Sequence, residues 1–516
     1  IRLTVDSNDA EAAYRQVYRQ LRAAILAGEL PPGSRLPATR TLARASGVAR
    51  VTVVEAYRQL EAEGFTESRV GAGTFVAAGV VATGGVAAGG VATGGVAAGG
   101  VAAERAAAGR AIAPGDGPVA FRPALTEWGR RAVEVGHSAP ASDGGRPEID
   151  FGLGRAFAEL FPYHVWRRLL ARYLSTDDAM LSRYGSPAGF FPLRQAVADY
   201  LGRARGVRCA AEQVVIVSGA QQALDILARL LLNPGDEVVV ETPGYRDAFT
   251  LFQLHGARLV GLPVDEEGLP VDRIPADCRA RLAFVTPTHQ FPKGGTMPLA
   301  RRMALLAWAR AGGALVIEDD YDGDLRYDGH SLAALQGLDA AGADTDGRVA
   351  YLGTFSKVLF PALRLGYLVL PPPLVTPFVR AKDLVDRGAP TLTQAAVADF
   401  IAEGHFERHL RRLRRLYGQR RAALGAALTA RLGERVHFSP LAAGLHVMLF
   451  PEANVDEARL VREAAARGVR VHPGAPYHLE RPAPPSILLG FSGLSETEIV
   501  EGVRRLAEAW PVAGAA

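Results

Sequence analysis

The chain of 516 residues contains three lysines, and one of them sits where a lysine has chemistry to do. Lys357 lies in Tyr351-Leu-Gly-Thr-Phe-Ser-Lys-Val-Leu-Phe-Pro-Ala-Leu-Arg364, in a protein whose basic side is otherwise arginine. An amine condenses with an aldehyde to a Schiff base, and a guanidinium does not. Thr354 and Ser356 supply hydroxyls and Arg364 a guanidinium, the donors a phosphate needs. Aldehyde and phosphate together describe pyridoxal phosphate (PLP). Taken alone, the plainer reading is a surface lysine in a loop, so the case depends on other segments.

Three segments support it. Ser218-Gly219-Ala220-Gln221-Gln222-Ala223 follows an apolar run and opens a helical one, and free amides at a helix N-terminus hold phosphate. A tight strand–helix turn is the simpler alternative. Thr242-Pro-Gly-Tyr245 ends the next apolar run and offers an aromatic face for a pyridine ring. Glu318-Asp-Asp-Tyr-Asp322 ends another, and ligands of open α/β sheets sit beyond the carboxyl ends of the strands. A carboxylate beside the ring nitrogen keeps it protonated and makes the ring an electron sink. An acidic run by itself is more often a solvated loop.

A second chemistry precedes these. Helical spacing over Ala12–Ala27, a short helix over Thr41–Ser46, a turn at Gly47, a helix over Arg50–Glu63 and a hairpin over Phe65–Val76 give the element order of a winged helix. The second helix of a helix–turn–helix enters the major groove by its first residues. Arg50 there can read guanine or grip phosphate, and Thr52 can reach a phosphate or a thymine methyl. Arg40 suits a phosphate contact, and Arg69 with Gly71 and Gly73 makes a hairpin tip slim enough for the minor groove. Residues 1–78 carry ten arginines against eight acids, and the whole chain only +4, so charge alone does not decide for DNA.

The elements that position these residues fall into three parts. Residues 1–78 form the compact N-terminal segment. Val81–Gly100 repeats VATGG-VAAGG twice, and two glycines in five residues break helix and strand alike. Residues 79–146 are therefore expected to be a flexible tether. In residues 147–516, short apolar strands at Val214–Val217, Glu237–Glu241, Leu282–Val285, Ala314–Ile317, Val349–Leu352 and Tyr367–Leu370 alternate with helices such as Gln221–Leu232 and Leu299–Ala311. That pattern predicts a mostly parallel sheet covered on both faces. A smaller α+β segment over Val436–Trp510 closes the chain. No apolar run is long enough to span a bilayer and no signal-peptide pattern opens the sequence, although it begins at Ile1 rather than Met. Cys209 and Cys278, far apart, suggest neither a disulfide framework nor a metal site and fit a reducing cytoplasm.

Beyond these physical readings, Leu30-Pro-Pro-Gly33, Arg35-Leu-Pro37, Arg40, Gly47-Val48, Thr52-Val53, Ala56-Tyr57, Glu63-Gly64 and Gly71-Ala-Gly-Thr-Phe-Val76 resemble the winged helix of GntR-family transcription regulators. Ala38-Thr39 departs from the serine usual there. Tyr184-Gly-Ser-Pro-Ala-Gly189, Gln221-Gln222-Ala223-Leu224, Pro287-Thr-His-Gln-Phe-Pro292, Glu318–Asp322 and Gly353-Thr-Phe-Ser-Lys357 with Arg364 resemble fold-type I aminotransferases. In this order the whole chain resembles the MocR subfamily, which joins the two. The resemblance implies PLP on Lys357, Asp319 at the pyridine nitrogen, Tyr321 on the ring hydroxyl and Tyr245 stacked on the ring. It implies phosphate held by Gly219, Ala220, Thr354, Ser356 and Arg364, and Tyr184 reaching the phosphate of a partner subunit. It further implies a homodimer on two half-sites of double-stranded DNA.

One departure bears on the effector. In Ser486-Ile-Leu-Leu-Gly490-Phe491, leucine stands where amino-acid-binding relatives carry the arginine for the substrate carboxylate. A carboxylate there loses a charge-assisted hydrogen bond of about 1.5–3 kcal/mol. The pattern is closer to PdxR-type members, whose effector is PLP itself. The expectation is a PLP-responsive regulator of vitamin B6 synthesis or salvage genes, with the aminotransferase-like domain sensing rather than catalysing. An amino-acid or amine sensor, or a working aminotransferase with a DNA-binding module, are the alternatives. Arg246, His289, His446 and His472 are further candidates for an anchor.

Overall fold

The computed structural model describes residues 3–6, 11–69, 72–78, 124–134, 147–154, 158–175, 182–327, 331–339, 347–451 and 455–510. Most of the expected tether, 79–146, lies outside them. Within it a helix occupies Glu127–Glu134, which the tether reading did not anticipate.

The N-terminal segment folds as α1 (Ala13–Leu26), α2 (Thr39–Ala45), α3 (Arg50–Ala62), β1 (Thr66–Arg69) and β2 (Gly73–Val76). Val17, Leu21 and Ile25 repeat at helical spacing and all point inward, meeting Val53, Ala56 and Leu60 of α3. Gly33, Gly47 and Gly64 turn the chain with positive φ after or between these helices. The wing pairs Arg69 with Gly73 across its tip.

After α4 (Glu127–Glu134) come β3 (Ile149–Asp150), α5 (Tyr163–Leu174), α6 (Phe191–Arg205), β4 (Val214–Val217), α7 (Ala220–Leu231), β5 (Glu237–Thr242), α8 (Arg246–Leu254) and β6 (Arg258–Pro263). Then follow β7 (Leu282–Val285), α9 (Leu299–Gly312), β8 (Leu315–Asp319), α10 (Leu335–Asp339), β9 (Val349–Thr354) and β10 (Gly366–Val369). They build one seven-stranded sheet in the order β4-β10-β9-β8-β7-β5-β6. β5 to β9 are mutually parallel. β10 runs antiparallel to both of its neighbours. Residues 355–365 are too few for a crossover to a parallel position, so the chain turns back beside β9. The strands β4, β7, β8 and β10 are buried along their whole length, as a sheet covered on both faces requires.

The remaining elements are α11 (Pro372–Asp386), α12 (Thr391–Ala402), α13 (His405–Leu432), β11 (Val436–Phe438), β12 (His446–Pro451), α14 (Glu457–Ala466), β13 (Val469–Arg470), β14 (His472–Pro473), β15 (Ile487–Gly490) and α15 (Glu496–Ala509). A four-stranded sheet, β11-β12-β15-β14, forms the smaller domain together with α14, which packs on β14, and α15, which packs on α14 and β13. β3 pairs parallel with β13 and ties the start of the large domain to the small one.

The six expected strands are all present. The edge strand β6 was not expected, because Arg258-Leu-Val-Gly-Leu-Pro263 carries a central glycine and an exposed face. The strand before the acidic run is longer than expected: Glu318 and Asp319 belong to β8. The acidic run is not a solvated loop, since Glu318, Asp319, Asp320 and Asp322 are all buried.

Candidate functional site

The carboxyl ends of β7, β8 and β9 lie on the same edge of the sheet as the turn after β4, and most of the residues expected to hold PLP are found along that edge. Asp319 is the last residue of β8 and lies in register with Leu352 of β9. Lys357 follows β9 and is half-buried. Burial lowers the affinity of its amine for a proton, while Asp322 and Asp319 work the other way. Burial, with Asp320 and Asp322 alongside, pushes Asp319 up to about 8, and Lys357 pulls it back. A cation brought beside it would favour its ionised form.

Around the lysine the chain makes room. Gly154 faces it so closely that a β-carbon there would stand 2.3 Å from Nζ. Tyr321 is half-buried among the acids. His289 Nδ1 lies 2.9 Å from the Tyr321 hydroxyl and 2.9 Å from Asp322 Oδ2. The Tyr245 hydroxyl accepts a hydrogen bond of 3.0 Å from Gln221 Nε2, which ties the aromatic ring to the start of α7. Its ring meets Phe291 edge-on at 6.1 Å.

The turn after β4 has the form of a phosphate cradle. Gly219 precedes α7 with φ +100°, a conformation that favours glycine. The Arg364 guanidinium lies over it, 3.2 Å from where a β-carbon would be, and donates to the Ser218 carbonyl at 3.2 Å. The first amides of α7, starting with Ala220, point out of the helix as a ready anion site. Thr354 Oγ1 accepts from the Ser356 amide at 3.1 Å, which fixes the hydroxyl-bearing turn just before Lys357. The glycine cradle, the guanidinium, the amine and the buried carboxyl fit PLP in kind and in order. Tyr184 is different: its side chain is 90 % exposed.

Of the two leucines in β15, Leu488 lies on the same face of the small-domain sheet as His446, so it is the one that takes the place of the carboxylate anchor. It is fully buried and lies across β15 from Met448 of β12 and His472 of β14. Among the alternative anchors, His289 is engaged with Tyr321 and Asp322. His446 is buried against Phe291 at 5.2 Å, and burial with His289 nearby pushes it down to about 3, so it is a neutral imidazole. Its Nε2 has no hydrogen-bond partner. Arg246, half-buried at the start of α8, is the charged candidate beside Tyr245.

Arg205, which no local pattern marks out, anchors the acidic strand end. It is fully buried at the end of α6 and bonds Asp320 Oδ2 at 2.8 Å, Thr288 Oγ1 at 3.0 Å and Ser331 Oγ at 2.9 Å. Tyr351 adds a second donor to Asp320. Its partners are all distant in sequence, so no local pattern could reveal it. Among the described residues, no group of three His, Cys, Asp or Glu side chains could hold a metal ion. Nor is any helix there long and apolar enough to cross a membrane.

At the other end of the chain, Arg40 and Arg50 are exposed on the helix–turn–helix, Thr52 is half-buried one turn into α3, and Arg69 is exposed on the wing. Val51 beside Arg50 is 70 % exposed, so this edge is open. Gly71 lies outside the described residues. Gly73 has φ +110°, and the Arg35 side chain packs where its β-carbon would be, which brings a further arginine to the wing.

Comparison with known proteins decides the family. Residues 13–76 match the gntR family of bacterial regulatory proteins, and residues 152–506 match aminotransferase class I and II. The chain is 38% identical to the probable rhizopine catabolism regulatory protein MocR of Rhizobium meliloti, over 98% of this chain and 96% of that one. The chain belongs to the MocR subfamily of GntR-family transcription regulators. It is also 30% identical to the pyridoxine biosynthesis transcriptional regulator PdxR of Corynebacterium glutamicum, over 93% of this chain and 92% of that one. The solved α-aminoadipate aminotransferase LysN of Thermus thermophilus, in complex with N-(5'-phosphopyridoxyl)-L-leucine, superposes with a TM-score of 0.65 at 32% identity, covering 70% of this chain and 91% of that one.

The regulator therefore binds DNA through its winged helix and PLP through its aminotransferase domain. The aminotransferase fold is present in a chain whose full-length relatives are transcription regulators. When bound, PLP supplies an aldehyde for an amine and an electron-withdrawing ring. The chain's own part is to hold and orient. Lys357 would offer the amine, Asp319 would keep a proton at the ring nitrogen, and Gly219, Ala220, Thr354, Ser356 and Arg364 would hold the phosphate. His289 and Asp322 fix the direction of the Tyr321 hydroxyl.

Proposed function

We propose that the regulator senses PLP itself, bound at Lys357, and controls genes of vitamin B6 synthesis or salvage. The observation that carries this reading is Leu488. A ligand carboxylate at that buried position meets a leucine side chain, opposite Met448, in place of a guanidinium. That loss disfavours an α-amino acid as effector and also disfavours sustained transamination, so the domain senses rather than catalyses. The likeness to a protein called a pyridoxine biosynthesis regulator supports the same assignment.

The working form we propose is a cytoplasmic homodimer on two DNA half-sites. Arg40, Arg50, Thr52, Arg69 and the Gly71–Gly73 tip contact DNA. The exposed Tyr184 reaches the partner subunit's cofactor phosphate, and Tyr245 stacks on the ring. The test is binding to the DNA upstream of the protein's own gene, with and without PLP, beside a panel of amino acids and amines. PLP alone shifting the affinity supports the reading, and unchanged affinity with PLP removes it. A second reading is favoured by the greater identity to a protein named for rhizopine catabolism: a catabolic substrate is sensed on the bound cofactor. It predicts that such a compound changes both the visible spectrum and the DNA affinity.

A further inference from the structure

The winged helix rests against the aminotransferase domain along a specific seam. The Gln59 side chain donates to the Ser331 carbonyl at 2.8 Å, and Arg15 donates to the Arg203 carbonyl at 2.8 Å. Both acceptors adjoin Arg205: Arg203 is two residues before it on α6, and Ser331 receives its Nη1. The apolar cores of the winged helix and of the region around Leu299 form one continuous buried cluster. Gly64, just past α3, and Leu299, the first residue of α9, line the same cavity, and a β-carbon at Gly64 would meet the Leu299 side chain.

The seam uses the back of the winged helix. Its contacts come from α1 and from the C-terminal end of α3, whereas Arg50 and Val51 at the other end of α3 stay exposed, as do Arg40 and Arg69. Docking therefore leaves the DNA-reading edge open. It fixes where that edge points instead of covering it.

The seam is also built to part. Arg22 is 5 % exposed, and its Nε and one Nη have no hydrogen-bond partner. Arg208 of the aminotransferase domain stands near enough to repel it. Glu63 accepts from the Tyr18 hydroxyl at 2.7 Å and from Gln59, yet burial still raises its pKa. A cavity runs along the contact between Glu63, Gly64 and Phe65 on one side and Met297, Leu299 and Arg302 on the other. Buried charges with imperfect partners regain hydration when a contact opens. The other end of the same network is the cofactor site, through Arg205 to Asp320, next to Asp319, and to Thr288, next to His289.

We propose that the back face of the winged helix docks on the aminotransferase domain beside Arg205, and that this seam carries the state of the PLP site to the DNA-reading edge. The proposal rests on PLP being the effector, and two separate readouts keep the two claims apart. A β-carbon on Gly64 would stand 3.2 Å from that of Leu299, so a few tenths of an ångström of relaxation would reach the roughly 3.5–4.5 Å between the β-carbons of a disulfide. The double variant Gly64→Cys with Leu299→Cys is oxidised and run without reductant beside each single variant. A cross-link specific to the pair, within one chain or between two, supports the seam. The locked protein is then expected to bind its upstream DNA with the same affinity with and without PLP, and reduction is expected to restore the difference. Because Gly64 has positive φ, Leu299→Arg serves as a second variant: it should keep the visible PLP band and abolish the PLP response. Absence of the cross-link, with Leu299→Arg still PLP-responsive, overturns the proposal while leaving PLP sensing intact. Wild-type protein that does not respond to PLP overturns PLP sensing, and the cross-link still judges the seam.

Discussion

Gly154 stands directly against the amine of Lys357. A β-carbon at that position would be 2.3 Å from Nζ, and its φ of +67° already favours glycine. The loop carrying Gly154 follows β3, which is anchored to β13 of the small domain, so both domains shape the space around the lysine.

Gly154→Ala is therefore expected to displace the lysine rather than unfold the protein. The backbone strain costs about 1 kcal/mol. PLP titration followed by visible absorbance should show weaker or slower formation of the lysine-bound band, with thermal stability only slightly reduced. An unchanged titration would remove this glycine from the site.

Arg364→Ala should remove the charged part of the phosphate cradle. Loss of one charge-assisted hydrogen bond of about 1.5–3 kcal/mol corresponds to roughly 10- to 150-fold weaker PLP binding. The band should return at high PLP, because Lys357 is untouched. Equilibrium titration distinguishes this from loss of the lysine itself.

Asp319 predicts a pH effect on the cofactor-free protein. Its ordinary value is 3.8, and burial beside Asp320 and Asp322 raises it to about 8 in the fold. The folded state thus holds a proton that the unfolded state releases, so stability is greatest below about 4 and declines as pH rises towards 8. Glu318 and Glu241, each raised to about 7 mainly by burial, contribute in the same direction. Asp319→Asn should flatten part of the decline in melting temperature between those limits. It should also weaken PLP binding, since an amide cannot hold a proton at the ring nitrogen.

At the DNA end, Arg50→Ala is expected to weaken operator binding by about 1–3 kcal/mol if it reads a base edge, with loss of discrimination at one position. A phosphate contact would instead weaken binding to every sequence alike and lower the salt dependence. The PLP titration should be unaffected in both cases.

Much of this arrangement was legible because it is local. The alternation of apolar strands and helices placed β4, β5, β7, β8, β9 and β10, and the turn chemistry placed Gly219 and Tyr245 at strand ends. β6 was hidden because an edge strand with an exposed face and a central glycine lacks the apolar signature of its neighbours. Arg205 was hidden for a different reason: Asp320, Thr288 and Ser331 are more than eighty residues from it, and only the fold brings them together. The burial of Glu318, Asp319, Asp320 and Asp322 reversed the ordinary expectation for an acidic run: the backbone amides of Leu335 and Gln336 bond Glu318, Arg205 bonds Asp320, and His289 lies against Asp322.

The central claim is that PLP on Lys357 governs DNA binding. The most direct measurement follows visible absorbance and affinity for the upstream DNA in one titration of cofactor-free protein with PLP, wild type beside Lys357→Ala. The account predicts that the wild type develops an absorbance band with the same midpoint as its change in DNA affinity, and that the variant shows neither. A DNA response that persists in Lys357→Ala, or a band that forms with no change in DNA affinity, would contradict it.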